Sequence, residues 1–185
     1  DGHQSIAPAL EKGAPAVVCE EAPDGVPAIV VASSRRALAQ IGGNRFGHPS
    51  RKLTMVGVTG TNGKTTTTYL IKHILEAQGI KTGLIGTNQN LIGDEIVPTE
   101  RTTPESYELH RLFAHMVEAG CTHCVMEVSS HSLVLDRVYG IDFAVGVFTN
   151  LTQDHLDFHH TMEEYRKAKA ILFTMCDKGV INMDD

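Results

Sequence analysis

One glycine- and threonine-rich segment, Gly57-Val-Thr-Gly-Thr-Asn-Gly-Lys-Thr-Thr66, constrains the fold of this chain more than any other feature. An apolar run over residues 53–58 leads into it, and apolar residues at helical spacing follow it at Leu70, Ile71, Ile74 and Leu75. Strand, glycine-rich loop and helix in this order are typical of the first unit of a parallel sheet covered by helices. We expect the four apolar residues to share one side of the helix.

The residue types of this loop favour phosphate binding. Glycines at 60 and 63 allow backbone N–H groups to converge on an anion at the start of the helix. The strict G-x-x-x-x-G-K-[ST] pattern fails because Val58 stands at its first glycine position. A glycine-rich turn before a helix also occurs without a ligand, but the Lys-Thr pair after the last glycine favours a nucleotide. The predicted binding residues are Gly60, Thr61, Asn62, Gly63, Lys64, Thr65 and Thr66.

Composition restricts the classes of function. The 185 residues are 42% hydrophobic with a mean hydropathy of −0.09, as in a soluble globular protein. A net charge of −6 argues against nucleic acid as the main partner, because binding to its phosphate backbone needs a basic surface. No apolar run approaches the roughly 20 residues of a membrane span, and no signal peptide opens the chain. We expect a cytoplasmic monomer with neither nucleic acid nor membrane as partner.

The four cysteines leave two interpretations open. Cys121-Thr-His-Cys124 has the spacing of a redox or zinc pair, but no second pair completes a metal site. Because the segment leads directly into an apolar strand, we favour buried, reduced thiols.

Residues 1–50 have the pattern of an incomplete domain. Two short apolar runs are followed by a helix that Ser33 or Ser34 caps, and we expect Gly42-Gly43 to end it before a linker. Two strands and one helix make a poor core. We therefore expect residues 1–50 to be the tail of a small α/β N-terminal domain whose beginning is absent, and residues 51–185 to be an incomplete central domain.

The next segment predicts a strand, a hairpin and a helix. Gly79 ends the first helix, residues 81–86 form a strand, and residues 88–100 form a hairpin around a Gly-Asp turn. Thr103 as N-cap, with Pro104 at the first helical position, begins a helix that Gly120 ends. Thr102 and Thr103 are then either capping residues only or part of a site.

Polar residues stand at the ends of two later strands. Glu127 is the only acidic residue of the strand over 123–128, and strand ends of parallel sheets collect ligand groups. We predict that Glu127 binds Mg²⁺ beside the loop, directly or through water, rather than being an unremarkable strand-end residue. The strand over 143–148 precedes a cluster over 154–160; a separate His/Asp zinc site is conceivable, but we favour His155 as ligand of a second divalent ion.

The last helix places a lysine among apolar residues. Thr161-Met-Glu-Glu164 matches a capping box, and Tyr165, Lys169, Leu172 and Cys176 then share one face. Helical spacing turns Lys169 toward this apolar face, but most lysines on such a face extend to water, and from the residues alone we favour that interpretation. We expect Gly179 to end this helix and Val180-Ile181-Asn182 to begin another strand.

Together, these motifs resemble those of the Mur ligases over nearly the whole chain. The resemblance is carried by Gly60 to Thr66, Thr102-Thr-Pro104, Glu127-Val-Ser-Ser-His131, Thr149-Asn-Leu-Thr-Gln-Asp-His-Leu-Asp157 and Asn182-Met-Asp-Asp185. Within the family it is greatest to the group that extends UDP-N-acetylmuramoyl-dipeptide. It implies the fold of the family's central domain, a mostly parallel, P-loop-containing sheet covered by helices, and a C-terminal ligase domain absent from this chain.

The resemblance also implies cofactors and roles. ATP would bind at Gly60 to Thr66, with Thr65 and Glu127 on one Mg²⁺ and with His155, Glu127 and a carbamylated Lys169 on a second. Catalysis would involve Lys64, Asn150, His155 and Lys169. Contacts to UDP-N-acetylmuramoyl-dipeptide would come from Thr102, Thr103, Ser129 and Arg137. One departure is Leu135, where some relatives have glutamine.

The implied reaction is ATP-dependent amide-bond formation in peptidoglycan precursor synthesis, and so in cell-wall biogenesis, cell shape and cell division. A glutamate carboxylate would attack the γ-phosphate, and the amine of meso-diaminopimelate or L-lysine would displace phosphate from the acyl phosphate. A folylpolyglutamate-synthase-like ligase and a non-catalytic P-loop module are the alternatives. We expect these 185 residues alone to bind nucleotide without ligating.

Overall fold

A computed structural model describes residues 2–184, which form nine strands and seven α-helices. The strands are β1 (Val17–Cys19), β2 (Ala28–Val30), β3 (Thr54–Thr59), β4 (Thr82–Ile85), β5 (Asn90–Ile92), β6 (Glu95–Val97), β7 (His123–Glu127), β8 (Phe143–Phe148) and β9 (Cys176–Ile181). The helices are α1 (Ile6–Glu11), α2 (Ser34–Arg45), α3 (Lys64–Ala77), α4 (Ser106–Glu118), α5 (Ser130–Val134), α6 (Leu156–His159) and α7 (Met162–Ala170). Short 3-10 segments cover Gly2–Ser5, Pro49–Lys52 and Ile171–Thr174.

Seven strands form one sheet in the order β6-β5-β4-β7-β3-β8-β9. Neighbours from β4 to β9 in this order pair in parallel, whereas β5 and β6 form an antiparallel hairpin at one edge. The hairpin turns at Gly93, whose φ is +60°, as the Gly-Asp pair predicts. The α/β fold with a mostly parallel, helix-covered sheet is confirmed, and the carboxyl ends of its parallel strands lie at one edge.

The alternating side chains of β3 divide the core between the two faces of the sheet. Met55 belongs to a large apolar cluster with α4, and Val58 to a smaller one under α3. The prediction for α3 is half wrong: Ile71 and Leu75 pack on the sheet, but Leu70 and Ile74 are 57% and 66% exposed. Adjacent positions lie about 100° apart on a helix, and the buried face of α3 carries Ile71 and Leu75 together with Thr68 and Lys72, which leaves Leu70 and Ile74 outside it.

Two glycines that were expected to end a helix lie inside it. The helix α2 begins after Ser33, whose side chain accepts a hydrogen bond from Arg36 N, and continues through Gly42 and Gly43. Both glycines are buried, and a Cβ on Gly42 would lie 3.2 Å from Tyr107 Cα of α4. The close contact of α2 with α4 explains why glycine stands there.

Two further boundaries differ from the prediction. The helix α4 begins after Glu105 rather than Thr103, because the Thr103 hydroxyl is engaged with β7. Gly179 does not end a helix: α7 ends at Ala170, and Gly179 pairs with Gly146 inside β9. The strand predicted from Val180 begins earlier, at Cys176, and the charged residues Asp177 and Lys178 hide this start from the sequence pattern.

All four cysteines are free thiols, and Cys121 and Cys124 are buried as favoured. Burial raises the pKa of both thiols. Within residues 2–184, no helix has the length and apolar character to cross a membrane.

Candidate nucleotide and metal site

The predicted phosphate loop joins β3 to α3 at the carboxyl edge of the sheet. Gly60 has φ +142° and Gly63 has φ +80°, conformations that a side chain disfavours. A Cβ on Gly60 would also overlap Thr149 Oγ1 at the end of β8. Gly63 is the N-cap of α3 and has no side chain that could accept hydrogen bonds from the first N–H groups of the helix. No capping side chain therefore competes with an anion for these N–H groups.

Residues after β8 hold the loop in place. Asn62 N donates to Asn150 Oδ1 (2.9 Å), and Asn150 Nδ2 donates to Asn62 O (3.1 Å). Thr149 Oγ1 donates to the same carbonyl at 2.7 Å. Asn150, predicted beside the nucleotide, therefore contacts the loop directly.

Thr61 is held from two further sides that the sequence did not indicate. Its hydroxyl accepts a hydrogen bond from Thr152 N (3.0 Å) and lies 3.3 Å from the Tyr165 hydroxyl of α7. Tyr165 is fully buried, so the loop rests on a rigid side chain. The sequence indicated only that Tyr165 lies on an apolar face of a helix.

Lys64, the first residue of α3, folds back over the loop. Its ammonium donates to Gly60 O (3.0 Å) and Thr61 O (2.8 Å). Burial lowers the pKa of Lys64, while the charges of Glu127 and Asp154 act in the opposite direction. This ammonium is well placed to exchange carbonyl oxygens for phosphate oxygens.

Glu127, at the end of β7, lies against the loop as predicted. It is 1% exposed, and Thr65 Oγ1 donates to its Oε1 at 3.0 Å. Adjacent ligands of an octahedral Mg²⁺, with metal–oxygen distances of 2.0–2.1 Å, lie about 3 Å apart. The Thr65 hydroxyl and the Glu127 carboxylate therefore fit two neighbouring positions on one magnesium ion.

The sequence reading missed Thr87, which completes the surroundings of Glu127. Thr87 N donates to Oε1 (2.9 Å), and Thr87 Oγ1 lies 3.1 Å from Oε2. The same hydroxyl is 3.0 Å from Thr102 Oγ1. A lone threonine after a strand has no sequence signal of its own, and only the β4–β7 pairing reveals it.

Lys169 points inward and is 3% exposed, so the interpretation that its side chain extends to water is wrong. Its Nζ donates to Gly60 O at 2.7 Å and lies 4.3 Å from the centroid of the Tyr165 ring. Burial, and then the nearby charge of Lys64, lower the pKa of Lys169 to about 7, with Asp154 opposing. A buried amine with this pKa is substantially neutral at neutral pH.

His155 lies beside this group in a left-handed conformation, with φ +53°. Its ring centroid is 6.1 Å from that of Tyr165 and 5.0 Å from that of His131. Among the described residues, no three His, Cys, Asp or Glu side chains form a group able to hold a metal ion. His159 is a further, buried side chain of this group, and its Nε2 lies 2.8 Å from Ser130 Oγ.

The residues predicted to contact a substrate converge beside Glu127. Thr103 Oγ1 donates to Glu127 O (2.9 Å) and accepts from Ser129 N (3.1 Å). Ser129 caps α5 by accepting from Ser132 N. Arg137 Nη1 donates to Thr103 O (3.2 Å), and its Nε lies 3.0 Å from Glu105 Oε1 in an ion pair. Thr103 thus connects the segment before α4 to the end of β7 and does not cap a helix.

Comparisons with known proteins agree with this geometry. The family model of the Mur ligase middle domain matches residues 58–185. The UDP-N-acetylmuramoyl-L-alanyl-D-glutamate–2,6-diaminopimelate ligase 1 of Clostridium acetobutylicum is 55% identical over 188 residues, covering 100% of this chain and 39% of that protein. A counterpart in Chlorobaculum tepidum is 54% identical over 192 residues, covering 100% of this chain and 38% of its own length.

Solved structures extend the likeness to the fold. A UDP-N-acetylmuramoyl-L-alanyl-D-glutamate–2,6-diaminopimelate ligase superposes with a TM-score of 0.83 at 32% identity, over 98% of this chain and 38% of that one. A folylpolyglutamate synthase of Mycobacterium tuberculosis shares the fold alone, with a TM-score of 0.63 at 19% identity over 79% of this chain and 41% of its own. The chain spans about two fifths of the length of the curated relatives it matches. On the family match over residues 58–185 and these identities, the chain belongs to the Mur ligase family.

Proposed function

We propose that this chain is the nucleotide-binding part of an ATP-dependent ligase that adds a diamino acid to UDP-N-acetylmuramoyl-L-alanyl-D-glutamate. The observation that carries the proposal is the Thr65–Glu127 pair at the phosphate loop, whose side chains lie 3.0 Å apart, with Glu127 buried and Thr65 partly buried. The names of the relatives favour 2,6-diaminopimelate over L-lysine as the amino acid. Their identity of 54–55% favours this substrate over a folate, since folylpolyglutamate synthase shares only the fold.

ATP would lie with its phosphates at the N-terminus of α3. The loop N–H groups and Lys64 would bind the β- and γ-phosphates, while Thr65 and Glu127 would hold Mg²⁺. When bound, the ion neutralises charge on the phosphoryl group as the substrate carboxylate attacks it. Asn150 would keep the loop in its binding conformation through its two hydrogen bonds to Asn62.

Lys169 would serve this site as a carbamate. Its neutral amine would attack the carbon of CO₂ and release one proton, so that an uncharged amine becomes a carbamate anion. That anion, with Glu127 and His155, would supply ligands for a second Mg²⁺. The low pKa of Lys169 supports this step because only the neutral amine reacts. Incubation with ¹³CO₂ should give a carbamate signal that is absent from Lys169→Ala, and small carboxylic acids should partly restore activity to that variant in the complete enzyme.

The muramoyl-dipeptide would bind beside Glu127. Thr102, Ser129 and Arg137 are the side chains with room to contact it, while Thr103 would act mainly by fixing Ser129. We further propose that residues 1–50 are the tail of the UDP-binding domain, that residues 51–185 belong to the central domain, and that the enzyme is a cytoplasmic monomer of cell-wall synthesis with neither nucleic acid nor membrane as partner.

The substitution Lys64→Ala tests the nucleotide site. It should lower Mg-ATP affinity by about tenfold or more, because a charge-assisted contact to phosphate is lost. The circular dichroism spectrum should stay unchanged, since the lysine contributes little to the core. Lys52→Ala, at an exposed position away from the loop, is the matched control. Unchanged Mg-ATP affinity in Lys64→Ala would refute the assignment of the phosphate loop.

The substrate is tested separately with the complete enzyme. Phosphate release that depends on both UDP-N-acetylmuramoyl-dipeptide and diaminopimelate is expected. Release that depends on a folate would favour the folylpolyglutamate-type ligase, and nucleotide binding with no release on any acceptor would favour a regulatory module.

A further inference from the structure

We propose that Thr87 is a positioning residue that connects the candidate magnesium ligand Glu127 to the candidate substrate residue Thr102, so that contact at the substrate side strengthens metal binding at the nucleotide side. The inference rests on the proposed function and adds to it a residue and a coupling between the two halves of the site. Thr87 itself is not expected to touch ATP, Mg²⁺ or the dipeptide.

The first support is the complete set of donors around Glu127. Oε1 accepts from Thr65 Oγ1 (3.0 Å) and from Thr87 N (2.9 Å), while Oε2 is 3.1 Å from Thr87 Oγ1. Two of the three contacts come from Thr87. A buried carboxylate without such donors would be costly, and its orientation would be free to vary. Thr87 therefore fixes the plane in which Glu127 presents its oxygens.

The second support is the direction of the hydroxyl chain. Thr87 Oγ1 lies within hydrogen-bond distance of both Glu127 Oε2 and Thr102 Oγ1, but a hydroxyl has one proton to donate. Thr87 Oγ1 is the donor in both contacts, so Glu127 Oε2 and Thr102 Oγ1 compete for its one proton. A substrate group that displaces Thr102 or donates to its hydroxyl oxygen would leave the Thr87 proton to Glu127 and so strengthen that bond.

The third support is the backbone that carries Thr87. Gly86 directly precedes it, and a Cβ on Gly86 would lie 2.6 Å from Glu127 Oε1. The register of β4 and β7 pairs Ile85 with Met126, which sets Gly86 and Thr87 alongside Glu127. The carboxyl end of β4 thus approaches this carboxylate closely, and the β5–β6 hairpin connects β4 to the segment of Thr102.

The experiment measures how Mg²⁺ affects ADP binding to the 185-residue chain by calorimetry. Thr87→Val removes the hydroxyl but keeps the shape and the backbone N–H, and Thr87→Ser keeps the hydroxyl. Thr102→Val and the double variant complete a mutant cycle. Thr174→Val, whose hydroxyl donates only within its own 3-10 segment, is the matched control. Thermal unfolding confirms that each variant is folded.

We expect Thr87→Val to raise the Mg²⁺ concentration needed for half-maximal ADP binding by about tenfold. This is the lower end of the loss in metal affinity that follows when a group orienting a metal ligand is removed. Thr87→Ser and Thr174→Val should stay close to wild type, and ADP affinity in EDTA should be the same in all. Thr102→Val should have a smaller effect. The double variant should be no weaker than Thr87→Val, because Thr102 acts only through Thr87.

Three outcomes would overturn the inference while leaving the proposed function intact: an unchanged Mg²⁺ dependence in Thr87→Val, an equal loss of ADP affinity in EDTA, or additive effects of the two substitutions. If Thr87→Val does not fold, the comparison of Thr102→Val with Thr102→Ser decides by the same Mg²⁺ titration. Failure of the wild-type chain to show Mg²⁺-dependent ADP binding would instead refute the proposed function.

Discussion

At the scale of single residues, Lys169 lies in surroundings that disfavour its positive charge. Its amine is enclosed by the Gly60 carbonyl and the Tyr165 ring, and Lys64 adds a second positive charge nearby. The same enclosure that disfavours the ammonium leaves a nucleophilic amine. We therefore expect this residue to destabilise the free protein and to react with CO₂.

The pH dependence of stability should reveal this amine. Its pKa is about 7 in the folded chain and about 10.4 when unfolded, so between these values only the unfolded chain binds the proton. Lys169 therefore makes the free energy of unfolding rise with pH across that window, by up to about 1.4 kcal/mol per unit, and contributes a constant penalty below pH 7. Lys169→Met should abolish this slope.

Urea unfolding in CO₂-free buffers from pH 7 to pH 10 measures the effect. The difference in free energy of unfolding between wild type and Lys169→Met should shift in favour of wild type as pH rises. Lys167→Met, at an exposed position of the same helix, should keep a constant difference. A constant difference for Lys169→Met as well would mean that its amine titrates normally in the fold.

Residues of this site differ in how far the sequence reveals them. The phosphate loop and the place of Lys169 on an apolar helical face follow from local spacing, which a single sequence contains, but the burial of the Lys169 amine does not. Thr87, Thr152 and the role of Tyr165 depend on contacts between strands and helices far apart in the chain, and a threonine after a strand is unremarkable. The mistaken capping role of Thr103 has the same origin, because its partner Glu127 is 24 residues away.

At the scale of elements, α2 shows how packing overrides a local signal. A Gly-Gly pair ordinarily ends a helix, yet α2 continues through Gly42 and Gly43 because the missing side chains let it approach α4. The ends of β9 and α4 were also set by tertiary pairing. Elements with strong periodicity, such as β3, β7 and α4, were predictable, whereas their boundaries depended on neighbours.

Replacing Gly42 by alanine tests the contact between α2 and α4. Alanine favours a helix by about 1 kcal/mol, but its Cβ would lie 3.1 Å from His110 Cδ2 and 3.2 Å from Tyr107 Cα, which is backbone and cannot turn aside. We expect a net destabilisation of about 1 kcal/mol in urea unfolding. Asn44→Ala, at an exposed position of the same helix, should be neutral or slightly stabilising. A Gly42→Ala variant as stable as Asn44→Ala would show that the helices can separate freely.

At the scale of the whole molecule, two sheets of unequal strength coexist. The strands β1 and β2 pair only with each other, and Ile29 and Val30 are 60% and 59% exposed. In the larger sheet, Val58 and Val125 are fully buried. The candidate site lies at the carboxyl edge of the larger sheet. Its charged residues are gathered there, although the chain as a whole has a net charge of −6.

Hydrogen exchange should separate these two parts. A two-stranded sheet is marginally stable alone, so amides of β1 and β2 should lose protection through local opening, well before those of β3 and β7. Mass spectrometry of peptides spanning 17–30 and 54–59 provides the comparison. Equal protection of both peptides would show that the molecule opens only as one cooperative unit.

The approach of Gly86 to Glu127 has a consequence for how the sequence can change over generations. Gly86 lies outside the left-handed region, so only the nearby carboxylate, 2.6 Å from where its Cβ would stand, requires glycine there. An alanine at 86 would push the Glu127 carboxylate away from its donors on Thr65 and Thr87. Among descendants of this gene, we therefore expect glycine to persist at 86 wherever glutamate stands at 127.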